Sequence, residues 1–126
     1  MKYFLNLLGL LVIAGCSTKP PSDRYVINSI KAADLDNSKS ISRQEFKMYF
    51  QNRYAQIDAG DSGRLPAKRL CPAIFADRIC EGADLNKDGY ITIDELYSRL
   101  DVEFARVSAG KKDELTYKEF HQALLP

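Results

Sequence analysis

The stretch Asp84-Leu85-Asn86-Lys87-Asp88-Gly89-Tyr90-Ile91-Thr92-Ile93-Asp94-Glu95 decides the fold of this 126-residue chain. Oxygen-bearing side chains stand at positions 1, 3, 5, 9 and 12 of the stretch, glycine at position 6 and an aliphatic residue at position 8. At average residue frequencies, a chain of this size would contain such a combination by chance about once in ten thousand cases. The pattern therefore indicates a specific loop.

The stretch resembles the calcium-binding loop of EF-hand proteins, in which alternate residues of a tightly curled loop supply oxygen ligands. Calcium is a hard cation that takes six to eight oxygens, and Gly89 permits the positive φ of the sharp turn. By this resemblance Tyr90 would contribute its backbone carbonyl, Thr92 a bound water and Glu95 both carboxylate oxygens. The implied ligands are Asp84, Asn86, Asp88, Tyr90, Thr92 and Glu95.

A second segment, from Asp34 to Glu45, also resembles a binding loop and has Ile41 at position 8. The resemblance implies ligands at Asp34, Asp36, Ser38, Ser40, Ser42 and Glu45. Lys39 stands where glycine is expected, and a left-handed backbone costs a lysine roughly 1 kcal/mol. We therefore expect this site to bind calcium more weakly than the stretch at Asp84. The alternative is that its Asp and Ser residues form only a solvated turn.

Two further segments, beginning at Asp58 and Ser108, complete four repeats at intervals of about 24 to 26 residues. In the segment from Asp58 to Arg69, Gly60 removes the ligand at position 3 and Arg69 places a cation at position 12. The segment from Ser108 to Glu119 has Ser108, Gly110 and Lys112 at positions 1, 3 and 5. We expect both to keep the loop shape without binding calcium. The four segments are called loops one to four in chain order.

Apolar residues recur at helical spacing between the loops. Examples are Phe46, Tyr49, Phe50 and Tyr54 after loop one, and Leu96, Leu100 and Phe104 after loop three. The sequence predicts an all-α fold of EF-hand-like helix-loop-helix repeats, with about five helices, four loops and short two-residue β ladders between loops. Ser42 and Thr92 stand three residues before Glu45 and Glu95, a spacing that predicts capping boxes.

The segment Arg43 to Ile57 contains neither Gly nor Pro and predicts one helix about 22 Å long. Loops one and two would lie at its opposite ends, so they cannot pair with each other. The segment Ile93 to Val107 separates loops three and four in the same way. We hypothesise a zigzag in which loop one pairs with loop three and loop two with loop four, through the residue pairs Ile41 with Ile91 and Leu65 with Leu115. Both binding loops would then share one end.

Cys71 and Cys80 lie in the segment from Pro66 to Gly82, where Pro66 and Pro72 could each mark a helix start. Nine residues of straight helix place two Cα atoms about 13 Å apart, whereas a disulfide requires roughly 7 Å or less. A bridge between Cys71 and Cys80 therefore requires a broken helix, and two buried free thiols are the alternative.

The amino-terminal residues 1–15 form a predicted lipoprotein signal peptide. Lys2 precedes an apolar run from Tyr3 to Ile13, and small residues precede Cys16. The run is too short to span a bilayer as a mature helix, which needs about 20 residues. The segment Leu11 to Cys16 resembles the lipobox of bacterial lipoproteins, which implies cleavage before Cys16 and acylation of this residue by fatty acids such as palmitate. An ordinary secretory signal is the alternative.

The residues after the cleavage site suggest how the domain is attached. Residues 16–22 are polar and rich in proline, so they predict an extended lipidated tether, with the four-repeat domain at residues 23–126. Several acyl chains on Cys16 would anchor firmly, since each buried methylene contributes about 0.8 kcal/mol. Ser17 follows the cysteine, which in Gram-negative lipoproteins implies the outer membrane, facing the periplasm.

Composition and motifs favour a binding module. Basic and acidic residues nearly cancel, at 18 and 17, and form no basic stripe, so we expect no nucleic-acid partner. We expect a calcium-binding lipoprotein of the bacterial cell envelope, either a sensor or a module stabilised by calcium, with membrane contact through the lipid on Cys16. The alternative is an adaptor for an envelope protein partner, with calcium structural or absent. We do not expect an enzyme, because His121 belongs to no catalytic arrangement.

Overall fold

The computed structural model of the chain describes residues 20–58, 60, 62–74, 77–110 and 113–125. Six helices lie in these ranges: α1 Asp23–Ala33, α2 Arg43–Ile57, α3 Ala67–Ile74, α4 Asp77–Glu81, α5 Ile93–Val107 and α6 Tyr117–Ala123. Four short strands lie in the same ranges: β1 Ile41–Ser42, β2 Arg64–Pro66, β3 Tyr90–Thr92 and β4 Glu114–Leu115. The predicted all-α fold with short ladders between loops is confirmed, with one helix more than expected.

The predicted signal peptide at residues 1–15 lies outside the described residues, as do the lipidation site Cys16 and the first part of the tether. Among the described residues, no helix is long and apolar enough to cross a membrane.

Capping boxes begin α2, α5 and α6, the helices that follow loops one, three and four. The side chains of Ser42 and Thr92 accept hydrogen bonds from the amides of Glu45 and Glu95, whose carboxylates accept from the cap amides in return. Thr116 begins α6 in the same manner with Glu119, although the sequence interpretation did not single out this pair. Such a cap contributes about 1 kcal/mol to helix stability, so each of these three loops ends where its exiting helix is fixed.

The core forms around the aromatic stripe of α2. Phe46, Phe50 and Tyr54 are buried as the periodicity predicts. The Phe46 ring makes edge-to-face contacts with Phe104 of α5 and Phe120 of α6, at centroid distances of 5.5 and 6.1 Å. Each such pair contributes about 0.5 to 1.5 kcal/mol beyond its burial. The stripe therefore holds α2 against the two helices that flank loop four.

The ladders pair the outer loops with each other and the inner loops with each other. β1 pairs with β4 in antiparallel register, with Ile41 opposite Leu115, and β2 pairs with β3, with Leu65 opposite Ile91. As predicted, loop one does not pair with loop two, nor loop three with loop four. The hypothesised pairing of loop one with loop three and of loop two with loop four is wrong, and the two predicted binding loops do not share one end.

The reason for this difference is a reversal of the chain between loops two and three. The Cα atoms of Cys71 in α3 and Cys80 in α4 are 5.6 Å apart, where one straight helix would separate them by about 13 Å. The two short helices pack against each other. The chain after them therefore returns to the end of the molecule where loop two lies. Loop three therefore lies beside loop two. Helix α5 then leads to loop four, which lies beside loop one.

A disulfide joins Cys71 and Cys80 across this helical hairpin. Ile74 of α3 and Ile79 of α4 are fully buried, so both arms contribute to the core. Helix α3 begins directly after Pro66, whereas Pro72 lies inside it, so the expectation that Pro72 could begin a helix is wrong.

Candidate metal centre

Loop one gathers carboxylates between the end of α1 and the start of α2. One oxygen each of Asp34, Asp36 and Glu45 lies within 4.8 Å of the other two. The amide of Ser38 donates to Asp34 Oδ1 at 3.0 Å and to Asp36 Oδ1 at 3.2 Å. The loop backbone therefore curls around its own acidic side chains and points their oxygens to a common centre.

Glu45 closes loop one from the first turn of α2. Its Oε2 accepts the Leu35 amide at 2.8 Å, and its Oε1 accepts the Ser42 amide at 2.9 Å. Asp34 and Glu45 are each only 8% exposed. Carboxylates at such burial need partners or a cation, because removing a charge from water is costly.

Loop four, which pairs with loop one, makes two contacts with it that the sequence interpretation missed. The Tyr117 hydroxyl donates a short hydrogen bond to Asp34 Oδ2, and the Ser40 hydroxyl donates another to Glu114 Oε1. The Tyr117 hydrogen bond is the main cause that holds the pKa of Asp34 below its usual value, and it raises the pKa of Tyr117. The contacts span 83 and 74 residues, so only the β1–β4 pairing could have revealed them.

Lys39 adopts the glycine conformation at position 6 of loop one. Its φ is 72°, close to the 85° of Gly89 in loop three. The Lys39 amide donates to Asp34 Oδ2 at 3.0 Å, and this bond holds the turn. The expected left-handed lysine is therefore present, and the loop carries a backbone strain of about 1 kcal/mol.

Loop three has the same backbone design in a more open setting. The Asp88 amide donates to Asp84 Oδ1 and Asn86 Oδ1, each at 3.3 Å, and the Gly89 amide donates to Asp84 Oδ2 at 2.8 Å. Glu95 Oε2 accepts the Leu85 amide at 3.0 Å. Asp84 and Glu95 are half-buried, whereas their loop-one counterparts Asp34 and Glu45 are buried. In the described part of this loop, three carboxylates do not approach within 4.8 Å of one another.

Asp88, Tyr90 and Thr92 complete loop three. Asp88 Oδ1 accepts the Tyr90 amide at 2.9 Å, which is the main cause that lowers the pKa of Asp88. Thr92 caps α5, and the Tyr90 ring lies 4.3 Å from the Arg64 guanidinium of loop two, measured to the ring centroid. Loop three therefore has a cationic neighbour at position 7, where loop one has Glu114.

Loop two keeps the turn and reverses the charge at its last position. Asp58 Oδ1 accepts the Ser62 amide and Oδ2 accepts the Gly63 amide, both at 3.0 Å, as in loops one and three. Arg69 donates to the carbonyl of Ile57 at 3.1 Å, so it bonds the end of α2 from the position of the bidentate glutamate. Among the described residues of loop two, position 12 therefore holds a cationic side chain and not a carboxylate.

Loop four has a different backbone at its start. Ala109 and Gly110, at positions 2 and 3, have φ values of 57° and 67°. The Gly110 amide donates to the carbonyl of Ala105 at 2.8 Å, which closes the end of α5. The expectation that loop four keeps the EF-hand turn is wrong in this part, because the helix end uses the residues that would begin the curl.

Comparison with known proteins adds one finding to this geometry. Residues 83–100 match the EF hand. The matched residues cover loop three and the first half of α5. The match supports binding of a divalent cation at that loop. A search of curated proteins finds no match to the chain.

The residues of both loops fit a hard divalent cation. Their donors are carboxylate, amide, hydroxyl and carbonyl oxygens, without the thiolate or imidazole that zinc prefers in structural sites. In loop one, the 4.8 Å group of Asp34, Asp36 and Glu45 already has the spacing of ligands around one ion. Calcium accepts such flexible oxygen sets more readily than magnesium, which demands near-ideal octahedral geometry.

Proposed function

We propose that the chain is a calcium-binding lipoprotein of the bacterial cell envelope, with one site in loop one and one in loop three. The convergence of Asp34, Asp36 and Glu45 within 4.8 Å carries the proposal for loop one. The EF hand match at residues 83–100 supports loop three independently. Loops two and four serve as structural partners.

The ligands follow the positions of each loop. In loop one, Asp34, Asp36 and Ser38 supply side-chain oxygens, Ser40 its carbonyl, Ser42 a water contact and Glu45 both carboxylate oxygens. The corresponding set in loop three is Asp84, Asn86, Asp88, Tyr90, Thr92 and Glu95. In an envelope exposed to external calcium, dissociation constants of roughly 0.1 to 1 mM suffice. Bound calcium would neutralise the acidic loops and stabilise the fold by mass action.

Terbium luminescence tests the sites in the purified domain. Tyr90 in loop three and Tyr117 beside Asp34 can each sensitise a lanthanide bound nearby. We expect emission that calcium displaces, with Asp84→Ala and Asp34→Ala each removing one part of it. Asp94→Ala is the matched control, because Asp94 is exposed and occupies no ligand position. Emission that calcium does not displace, or that both ligand variants leave intact, would refute the proposal.

Acylation of Cys16 would place the domain on the outer membrane, facing the periplasm. The support is the lipobox-like order of residues 11–16 and the proline-rich tether. Metabolic labelling with an alkyne analogue of palmitate in a Gram-negative host tests it. We expect label on the wild type and on the Cys71→Ser, Cys80→Ser double variant, and none on Cys16→Ser. Equal labelling of Cys16→Ser would contradict the anchor.

A further inference from the structure

We infer that Tyr117 is a positioning residue for the calcium site of loop one, where its hydroxyl compensates for the absence of glycine at position 6. This inference rests on the proposed function of loop one. It assigns a task to loop four, which the ligand pattern alone leaves without one.

The geometry centres on one carboxylate oxygen. Asp34 Oδ2 accepts the Tyr117 hydroxyl and also the Lys39 amide, the latter at 3.0 Å. The other oxygen, Asp34 Oδ1, accepts the Ser38 amide at 3.0 Å within the loop. Tyr117 therefore holds Oδ2, and Oδ1 is the oxygen of Asp34 that this assignment leaves for the cation.

Loops two and three show what changes when glycine is present. Gly63 donates to Asp58 Oδ2 at 3.0 Å with φ 80°, and Gly89 donates to Asp84 Oδ2 at 2.8 Å with φ 85°. Glycine reaches these angles without steric cost, whereas Lys39 at φ 72° does not. The interloop tyrosine contact is thus found on the loop whose turn is strained.

A second donor on Asp34 counteracts that strain. A carboxylate held by two donors keeps one orientation, so it remains in place to accept the Lys39 amide and to hold the left-handed turn closed. Donors of this kind behind metal ligands typically change metal affinity by about 10- to 100-fold. A hydroxyl that merely competed with calcium for the charge of Asp34 would have the opposite sign, and removing it would tighten binding.

The fold keeps Tyr117 in position through loop four. Leu115 pairs with Ile41 in the β1–β4 ladder, and Thr116 caps α6 directly before Tyr117. The ladder and the cap fix the ring over loop one from a segment that has lost its own ligands. This gives a physical reason for a ligand-poor loop beside a binding loop.

A double-mutant cycle in the full domain tests the inference. Tyr117→Phe should weaken calcium binding at loop one by about tenfold and leave loop three unchanged. In a Lys39→Gly background the same change should cost less than about threefold, because glycine needs no help at position 6. Titrations followed at loop-specific amides by NMR measure both effects. Tyr97→Phe, on α5, is the control for loss of a tyrosine hydroxyl.

Amide hydrogen exchange without calcium provides a second measurement. Tyr117→Phe should speed exchange at Lys39 and leave Gly89, its counterpart in loop three, as an unchanged internal reference. Unchanged exchange at Lys39, equal or tighter calcium binding, or the same loss in both backgrounds would overturn the inference. If wild-type loop one binds no calcium, the proposed function fails there, while exchange at Lys39 still decides whether Tyr117 positions the loop.

Discussion

Loops one and three have nearly the same ligand pattern and different neighbours. Asp34 and Glu45 are each 8% exposed, and Tyr117 and Glu114 reach loop one from its partner segment. Loop three is more open, and Arg64 of its partner packs on the ring of Tyr90. The family match falls on loop three, whereas the tightest carboxylate group falls on loop one. The comparison teaches that a paired loop shapes a candidate site even where it lacks a full set of ligands of its own.

The pairing also determines whether the two proposed sites affect each other. Loop one begins α2 and pairs with loop four, while loop three pairs with loop two at the other end of that helix. A helix of 15 residues separates the two ends by about 22 Å. This distance exceeds the Debye length of about 8 Å at physiological salt, so charge repulsion between two bound ions is largely screened. We expect the sites to bind independently.

The largest effects should follow from removing the last ligand of each loop. Glu45→Gln and Glu95→Gln keep the shape of the side chain and remove one charge. Each should weaken its own site by at least about 100-fold, since even changes behind the ligands cost 10- to 100-fold, and leave the other site intact. Calcium titration of the two variants by calorimetry measures this. Loss of both sites in either variant would break the separation of the loops.

Removing the disulfide should affect the inner pair of loops more than the outer pair. Closing a ring over the nine-residue separation of Cys71 and Cys80 contributes about 2 to 3 kcal/mol in the chain-entropy account. The Cys71→Ser, Cys80→Ser double variant should lose about this much unfolding free energy in urea denaturation. Its loop-three affinity should fall while loop one is spared. Equal weakening of both loops would show that the hairpin does not act locally.

Tyr54→Phe should sharpen the same contrast with a smaller effect. The buried Tyr54 hydroxyl donates to the carbonyl of Ile91 at 2.7 Å, and burial raises the pKa of Tyr54 to about 12. Losing this hydrogen bond should cost about 1 kcal/mol of stability and weaken loop three. Tyr49→Phe is the matched control, because the buried Tyr49 hydroxyl bonds Ser29 of α1 at 2.8 Å. Equal loop-three weakening by both variants would contradict a local role of Tyr54.

The smallest effect should come from Lys39→Gly. Glycine relieves the left-handed backbone of position 6 and gains freedom in the unfolded chain, so the net stabilisation should be at most about 1 kcal/mol. Gly89→Ala in loop three should have the opposite sign. Denaturation midpoints of the two variants measure the difference. Destabilisation by Lys39→Gly would mean that the lysine is not strained.

Much of the fold could be predicted from local patterns. Three such predictions are confirmed: the 15-residue span of α2, the caps at Ser42 and Thr92, and the aromatic core face. Each of them depends on residues that are close together in the sequence. Loop pairing depends on the direction of the chain between loops two and three. That direction depends on the reversal of the chain between Cys71 and Cys80. The spacing of residues in this segment does not decide between one straight helix and a broken one.

The candidate site likewise combines features that depend on local sequence with features that depend on loop pairing. The proposed ligand positions of both loops follow from residue type and spacing, because each loop is one continuous segment. The contacts of Tyr117 and Glu114 with loop one join residues more than 70 positions apart. These contacts form because β4 lies beside β1. A prediction that pairs loop one with loop three therefore does not include them.

Calcium titration of Asp84→Ala, followed at the amides of loop one by NMR, tests most directly the claim that the two sites are separate. With loop three disabled, loop one should bind calcium with its wild-type affinity, within about twofold, since its partner is loop four. A tenfold or greater weakening of loop one would contradict the account, because it would show that the two binding loops act as one coupled pair.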